Sequence, residues 1–319
     1  MREAFFIKRN KARWEEFEAV AKNHHSAPPD KLADLFVQVT NDLSFSQTQY
    51  PNSRVTQYLN GLATQLHLGI YKNKREEASR FVTFWKFEVP AIMMEARKPM
   101  IYSFIIFIVA GIIGIVSTLH DDTFVRLILG DGYVNMTLEN IRKGNPTAVY
   151  GSMDQGMMFL SITLNNIMVS FKVFMFGVMA TVGCGFYLFY NGLMVGTFMT
   201  FMGTEGELAQ ALPVIMLHGT IELTSIAIAG GAGFLMGNSL LFPGTYPRMT
   251  SFKNGAIKGM KISVGLVPFF VIAGVIESFV TRYAFMHWSA KAAIIGASAF
   301  LMIWYFIFYP IKLKRNGII

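Results

Sequence analysis

His218 and Glu222 stand four residues apart inside the apolar run Leu212 to Leu241. Four residues make about one helical turn, so a helix puts the imidazole and the carboxylate on one face. A carboxylate alone in hydrocarbon costs several kcal/mol, so that face must turn toward protein or water. The pair admits three kinds of chemistry: a proton relay, a cation site, or two of the ligands of a metal. It also admits a purely structural role, an interhelical hydrogen-bonded pair with Asn191, Thr220 or Thr224 as partner. The metal is left unknown. A catalytic zinc wants three protein ligands plus water and His218 with Glu222 supplies two. There is no HExxH, and His24, His25, His67, His120 and His287 sit in or beside polar segments.

Two further ionisable residues lie in apolar runs. Glu277 falls about one turn from the end of its run, where an interface-exposed carboxylate is expected; facing Glu222 across a bundle, it would suit a transporter. Lys172 either snorkels to the interface or pairs with Glu222 or Glu277. Asn165, Asn166 and Asn191 read as caps or helix–helix hydrogen bonds. Ser225 lies on the His218 face and Cys184 has no identified base, so a nucleophile–base set cannot be assembled. No phosphate-binding glycine loop occurs between a strand and a helix, and no cofactor is called for.

These residues need membrane-spanning helices to position them. The chain has 319 residues, 53% hydrophobic and only 15% charged, against about 25% charged in soluble domains. Apolar runs read as six spans: Met100 to Leu119, two within 157–203, the long run ending at Leu241, Ile262 to Val280 with a kink near Pro268, and Lys291 to Pro310. The turn between the second and third spans is expected between Gly183-Cys184-Gly185 and Asn191-Gly192, which leaves the third span short or re-entrant. Gly192, Gly196, Gly219, Gly230, Gly231, Gly233 and Gly237 read as close helix packing, within the chain or across a dimer.

The net charge of +8 is distributed as a membrane topology signal rather than as a nucleic-acid surface, and no nucleic-acid partner is expected. Residues 1–98 and the segments 242–261 and 312–315 are basic, whereas 120–165 is acidic. With six spans, both termini lie in the cytoplasm of a bacterial inner membrane. The N-terminus has charges where a cleaved signal would carry its apolar core. The expected fold is all-α and polytopic, about six transmembrane helices with an N-terminal helical cytosolic domain. Residues 1–98 form that domain, its third helix capped by Ser53, with a basic knot at Lys72 to Arg75 and an aromatic run at 81–87. That run suits either an interfacial helix or a fourth helix of the N-terminal bundle. Residues 99–319 form the membrane domain, with an extracytoplasmic insertion at about 120–155. Thr123–Leu129 and Val134–Ile141 are expected there as short amphipathic helices, and Gly130-Asp131-Gly132 and Gly144-Asn145-Pro146 as turns.

The segments REAFFIKRNKARWEEFE, NNI at 165–167, NGLMVG at 191–196, HGTIEL at 218–223, AIAGGAGFLMG at 227–237 and IESFVT at 276–281 together resemble the stage II sporulation protein M family of bacterial inner-membrane proteins. The long N-terminal domain looks like the branch found in bacteria that form no spores. The resemblance implies an envelope role beside peptidoglycan-remodelling partners, or beside membrane proteins encoded near MoxR-type ATPases, and adds no catalytic residue. Three functions are therefore carried forward. The first is a membrane scaffold for cell-envelope proteins, homodimeric and in contact with lipid. The second is a proton- or ion-coupled transporter or channel using His218 and Glu222, and the third an intramembrane metal-dependent hydrolase.

Overall fold

The computed structural model describes residues 2–22, 29–71, 79–144, 155–281 and 286–319. His24, His25, the basic knot at 72–75 and the Asn145-Pro146 turn lie outside them. Every regular element among the described residues is helical. The chain divides into two compact units, Met1–Arg80 and Phe81–Ile319, so the aromatic run at 81–87 falls in the second.

The first unit is three helices, α1 (Glu3–Lys22), α2 (Pro29–Gln49) and α3 (Arg54–Tyr71). Their apolar stripes meet in a core of Trp14, Phe17, Val39 and Leu59, each 3% exposed or less. One carboxylate ties two helices together: Asp42 accepts from the Trp14 indole at 2.8 Å and from the Arg13 guanidinium at 2.5 Å. Ser53 caps α3 as its sequence position predicts, its hydroxyl accepting from Val55 N at 3.1 Å.

The boundary between the units falls within α4 (Ser79–Thr83), and a π-helical turn at Phe84–Glu88 and α5 (Val89–Glu95) follow. Six longer stretches follow, each long and apolar enough to cross a membrane. They are α6 (Arg97–His120), α9 (Gln155–Met175) with a 3₁₀ turn to Val178, α10 (Val182–Thr204), α11 (Leu208–Leu241), α12 (Arg248–Val275) with a π turn at Ile276–Val280, and α13 (Trp288–Ile303). The last continues through a π turn at Trp304–Phe308 into α14 (Tyr309–Arg315). Between α6 and α9 the chain forms α7 (Asp122–Leu129) and α8 (Asp131–Arg142).

Three details depart from the sequence expectation. The turn between the second and third spans falls at Met179–Thr181, and its positive φ angles belong to Ala180 and Thr181 at 51° and 74°. Gly183 and Gly185 are instead inside α10, which runs unbroken for 23 residues, neither short nor re-entrant. The basic stretch after α11 is not one loop, since α12 starts at Arg248 and Pro268 lies inside it without ending it.

Glycines set the helix spacing inside one chain. A Cβ at Gly192 would strike Phe107 O, and one at Gly196 would strike the Gly111 backbone, so α10 lies backbone-to-backbone on α6. Gly230 makes room for Ser103, whose hydroxyl donates to Ala227 O at 2.5 Å. Gly231 accommodates Met100, Gly233 accommodates Cys184, and Gly237 lies against Thr181. These contacts make α11 the central helix, buried all round from Ser225 to Gly233. The aromatic run packs on α12 and on the stretch from α13 to α14. Trp85 Nε1 donates to Gly265 O at 3.2 Å, and Tyr305 and Tyr309 donate to the Trp85 and Lys86 carbonyls at 2.7 and 3.1 Å. Lys261 pairs with Glu88 at 2.6 Å and Lys258 with Glu95.

Candidate functional site

His218 lies ten residues into α11, roughly 15 Å along its axis, and Glu222 follows one turn deeper on the same face. Glu277 is brought to them by the π turn that ends α12. A π turn winds wider than an α turn and is frequent where a side chain has to be re-aimed. Glu277 is therefore not at an exposed interface but 7% exposed, with its Oε1 3.7 Å from His218 Nε2. One ligand-type atom from each of His218, Glu222 and Glu277 lies within 4.8 Å of the others.

The surrounding polar groups hold this cluster in place. Asn166, buried on α9, gives its side-chain hydrogen bond to the Glu222 carboxylate. Thr281, buried at the end of the π turn, donates its hydroxyl proton to Ile276 O at 3.2 Å. That leaves its oxygen to accept from His218 Nδ1, 3.4 Å away, an assignment that makes Nε2 the acceptor nitrogen. Glu277 Oε2 is buried with no hydrogen-bond partner among the described residues, as are the hydroxyls of Ser170, Ser225 and Ser278.

One side of the cluster opens into a cavity of about 450 Å³ between α10 and α11, lined by His218, Gly219 and Glu222 on α11 and by Tyr190, Met194 and Phe198 on α10. Ile128, Leu129 and Tyr133 close its far wall. They come from α7 and α8, the two short helices expected from the sequence. Val125 and Val134 of this pair pack on Phe201, Tyr190 Oη donates to Ile128 O at 3.3 Å, and the Tyr133 and Phe198 rings meet edge to face at 6.0 Å. Asp121 caps α7 through its bond from Thr123 N at 2.8 Å, and the Thr123 hydroxyl and amide hold its carboxyl below the ordinary range.

Not every residue singled out from the sequence is brought here. Asn191 donates to Tyr187 O of its own helix at 2.8 Å and does not line the cavity. Thr220 and Thr224 likewise bond the carbonyls one turn back, at 2.7 and 2.6 Å. Lys172 is exposed on α9, where Ser170, Val173 and Phe174 take the inward positions. Gly219 does not pack a neighbouring helix: a Cβ there would touch only Ile215 and Met216 of its own helix, at 3.8 and 4.0 Å. Cys184 is buried and donates to Gly230 O at 3.2 Å. Conversely, Asn166 and Thr281 join the cluster although neither stood out as a partner; an amide in mid-run at 166 was the available signal.

Fold and cluster together define a polytopic, all-helical membrane protein with an imidazole and two carboxylates clustered between its span helices. The family model described as Stage II sporulation protein M matches residues 103–282, and the chain belongs to that family. Residues 4–72 match a family described only as a domain of unknown function (DUF8413). No curated protein and no solved structure matches the chain.

Proposed function

We propose that the membrane unit is a carrier for a proton or another cation, coupled through His218, Glu222 and Glu277. The observation that carries this reading is the convergence of these three side chains, from two helices, beside a cavity that His218 and Glu222 line. Ionisable groups within a span are rare, face the bundle interior or a water-filled cavity, and mark ion pathways and proton relays. The test is flux. Purified protein in sealed vesicles with an internal pH or cation indicator should respond to an imposed gradient, and Glu222→Gln should abolish the response while Lys172→Gln leaves it intact. Equal flux in wild type and Glu222→Gln would remove the case for a carrier working through this site.

A second reading, a scaffold for envelope-remodelling partners that is itself homodimeric, is supported by the first unit. Three helices with a core of their own, matched by a separate family model, suit a docking module. The location consistent with this is a bacterial inner membrane with both termini in the cytoplasm, which the basic residues Arg97, Lys98, Lys258, Lys261, Lys312 and Lys314 support. Crosslinking and affinity purification from native membranes should then recover envelope or ATPase-associated proteins; recovery of the chain alone would count against it.

A further inference from the structure

His218 Nε2, Glu222 and Glu277 are three acceptors aimed at one point. With Nδ1–H given to Thr281, Nε2 presents a lone pair to Glu277 Oε1 across 3.7 Å. That separation is too long for the two atoms to share a proton directly, since a contact of about 3.6 Å is already outside the hydrogen-bond range. Three acceptors facing one another in a low-dielectric interior repel unless a proton or a metal ion is bound among them. Distance then chooses the cation. Two donors bound at about 2.0–2.1 Å to one zinc-sized ion lie roughly 3.3 Å apart in a tetrahedron and at most about 4.2 Å apart. The 3.7 Å edge falls inside that interval, and the 4.8 Å limit on the three atoms closes to it with a side-chain shift of under about 1 Å.

We infer that His218, Glu222 and Glu277 form a site for a divalent first-row transition-metal ion, zinc or manganese, with a coordination position open to the cavity between α10 and α11. The ligand set selects the ion. One imidazole and two carboxylates suit zinc or manganese, while magnesium prefers oxygen and retained water. The neighbours are those of a metal centre: Asn166 steadies Glu222, Thr281 fixes the imidazole tautomer, and such partners orient ligands. Glu277 adds the third ligand that the HxxxE spacing lacks. Its second oxygen is buried and without a partner among the described residues, so the carboxylate has acceptor capacity left for an ion. This inference rests on the carrier reading only in taking the metal as the cation carried; binding itself does not depend on transport.

The experiment uses full-length protein in nanodiscs, stripped with chelator and titrated with Zn²⁺ alone or Mn²⁺ alone, bound metal being counted by mass spectrometry. One ion per chain is expected. His218→Ala and Glu277→Gln should each weaken binding by about tenfold or more, and Mg²⁺ at the same concentration should not compete. Glu277→Asp, which keeps a carboxylate, should retain measurable binding and guards against a variant that simply fails to fold. No saturable binding of either ion, or binding unchanged in both His218→Ala and Glu277→Gln, overturns the site. Metal binding without flux upholds the site and defeats the carrier; Glu222-dependent proton flux without metal binding defeats the site and leaves the carrier standing.

Discussion

Asn166 on α9 donates its side-chain hydrogen bond to Glu222 on α11, joining two of the span helices. The contact gives one of the cluster's two carboxylates a fixed direction. Asn166→Leu keeps the size of the side chain but removes the donor. Leaving a buried acceptor without its partner costs about 1–3 kcal/mol. The thermal unfolding midpoint in detergent should fall, and any Glu222-dependent flux should fall with it.

Glycines at 196 and 219 should respond in opposite ways to the same change. A Cβ at Gly196 runs into the backbone of Gly111, which cannot move without shifting α6. Gly196→Ala should therefore destabilise by about 1–3 kcal/mol, the usual range for overpacking. A Cβ at Gly219 meets only its own helix at ordinary contact distance. Gly219→Ala should be neutral or stabilising by up to about 1 kcal/mol, the helix-propensity difference. Paired melting curves decide both.

The α9–α10 turn holds Ala180 at φ 51°, a left-handed conformation that costs a non-glycine residue about 1–2 kcal/mol. Glycine removes that cost but adds about 0.4–1 kcal/mol of unfolded-chain entropy. Ala180→Gly should thus be stabilising by about 1 kcal/mol or less. A clear loss of stability would show that the Ala180 methyl group matters more than its backbone.

Asp121 caps α7 as a carboxylate, and its hydrogen bonds from Thr123 lower its pKa in the folded state. A lowered carboxyl pKa contributes stability that is present above the unfolded value, about 3.9, and is lost as pH falls through the folded one. Amide exchange at Thr123 and Phe124 should accelerate, relative to intrinsic rates, as pH drops below about 4. Asp121→Asn, which keeps a capping oxygen but cannot titrate, should flatten that dependence.

Much of the fold was legible in the sequence, because burying a helix in lipid demands a long apolar run and the six runs are plain. The short helices α7 and α8 were legible from their two amphipathic stretches between turn residues. The α9–α10 turn was not. Glycine is the usual bearer of positive φ, and here the glycines were already committed to packing within α10 while Ala180 and Thr181 took the strained angles. Of the candidate site, the His218–Glu222 face could be read from a spacing of four. Glu277 could be named but not placed, since an α-helical count puts it near the end of its span and says nothing of a local widening. Asn191 and Lys172 drew notice as polar residues in apolar runs, yet one bonds its own helix and the other faces outward.

The widened turn at Ile276–Val280 amounts to one residue more than an α-helix would use over the same rise. Deleting a single position there would restore regular winding and re-phase residues inside the turn by up to about 100° against the helix before it. Glu277 and Thr281 could then no longer both face α11, although neither had been mutated. What brings the second carboxylate home is thus the phase of a helix, and a lineage could gain or lose that arrangement through one inserted codon.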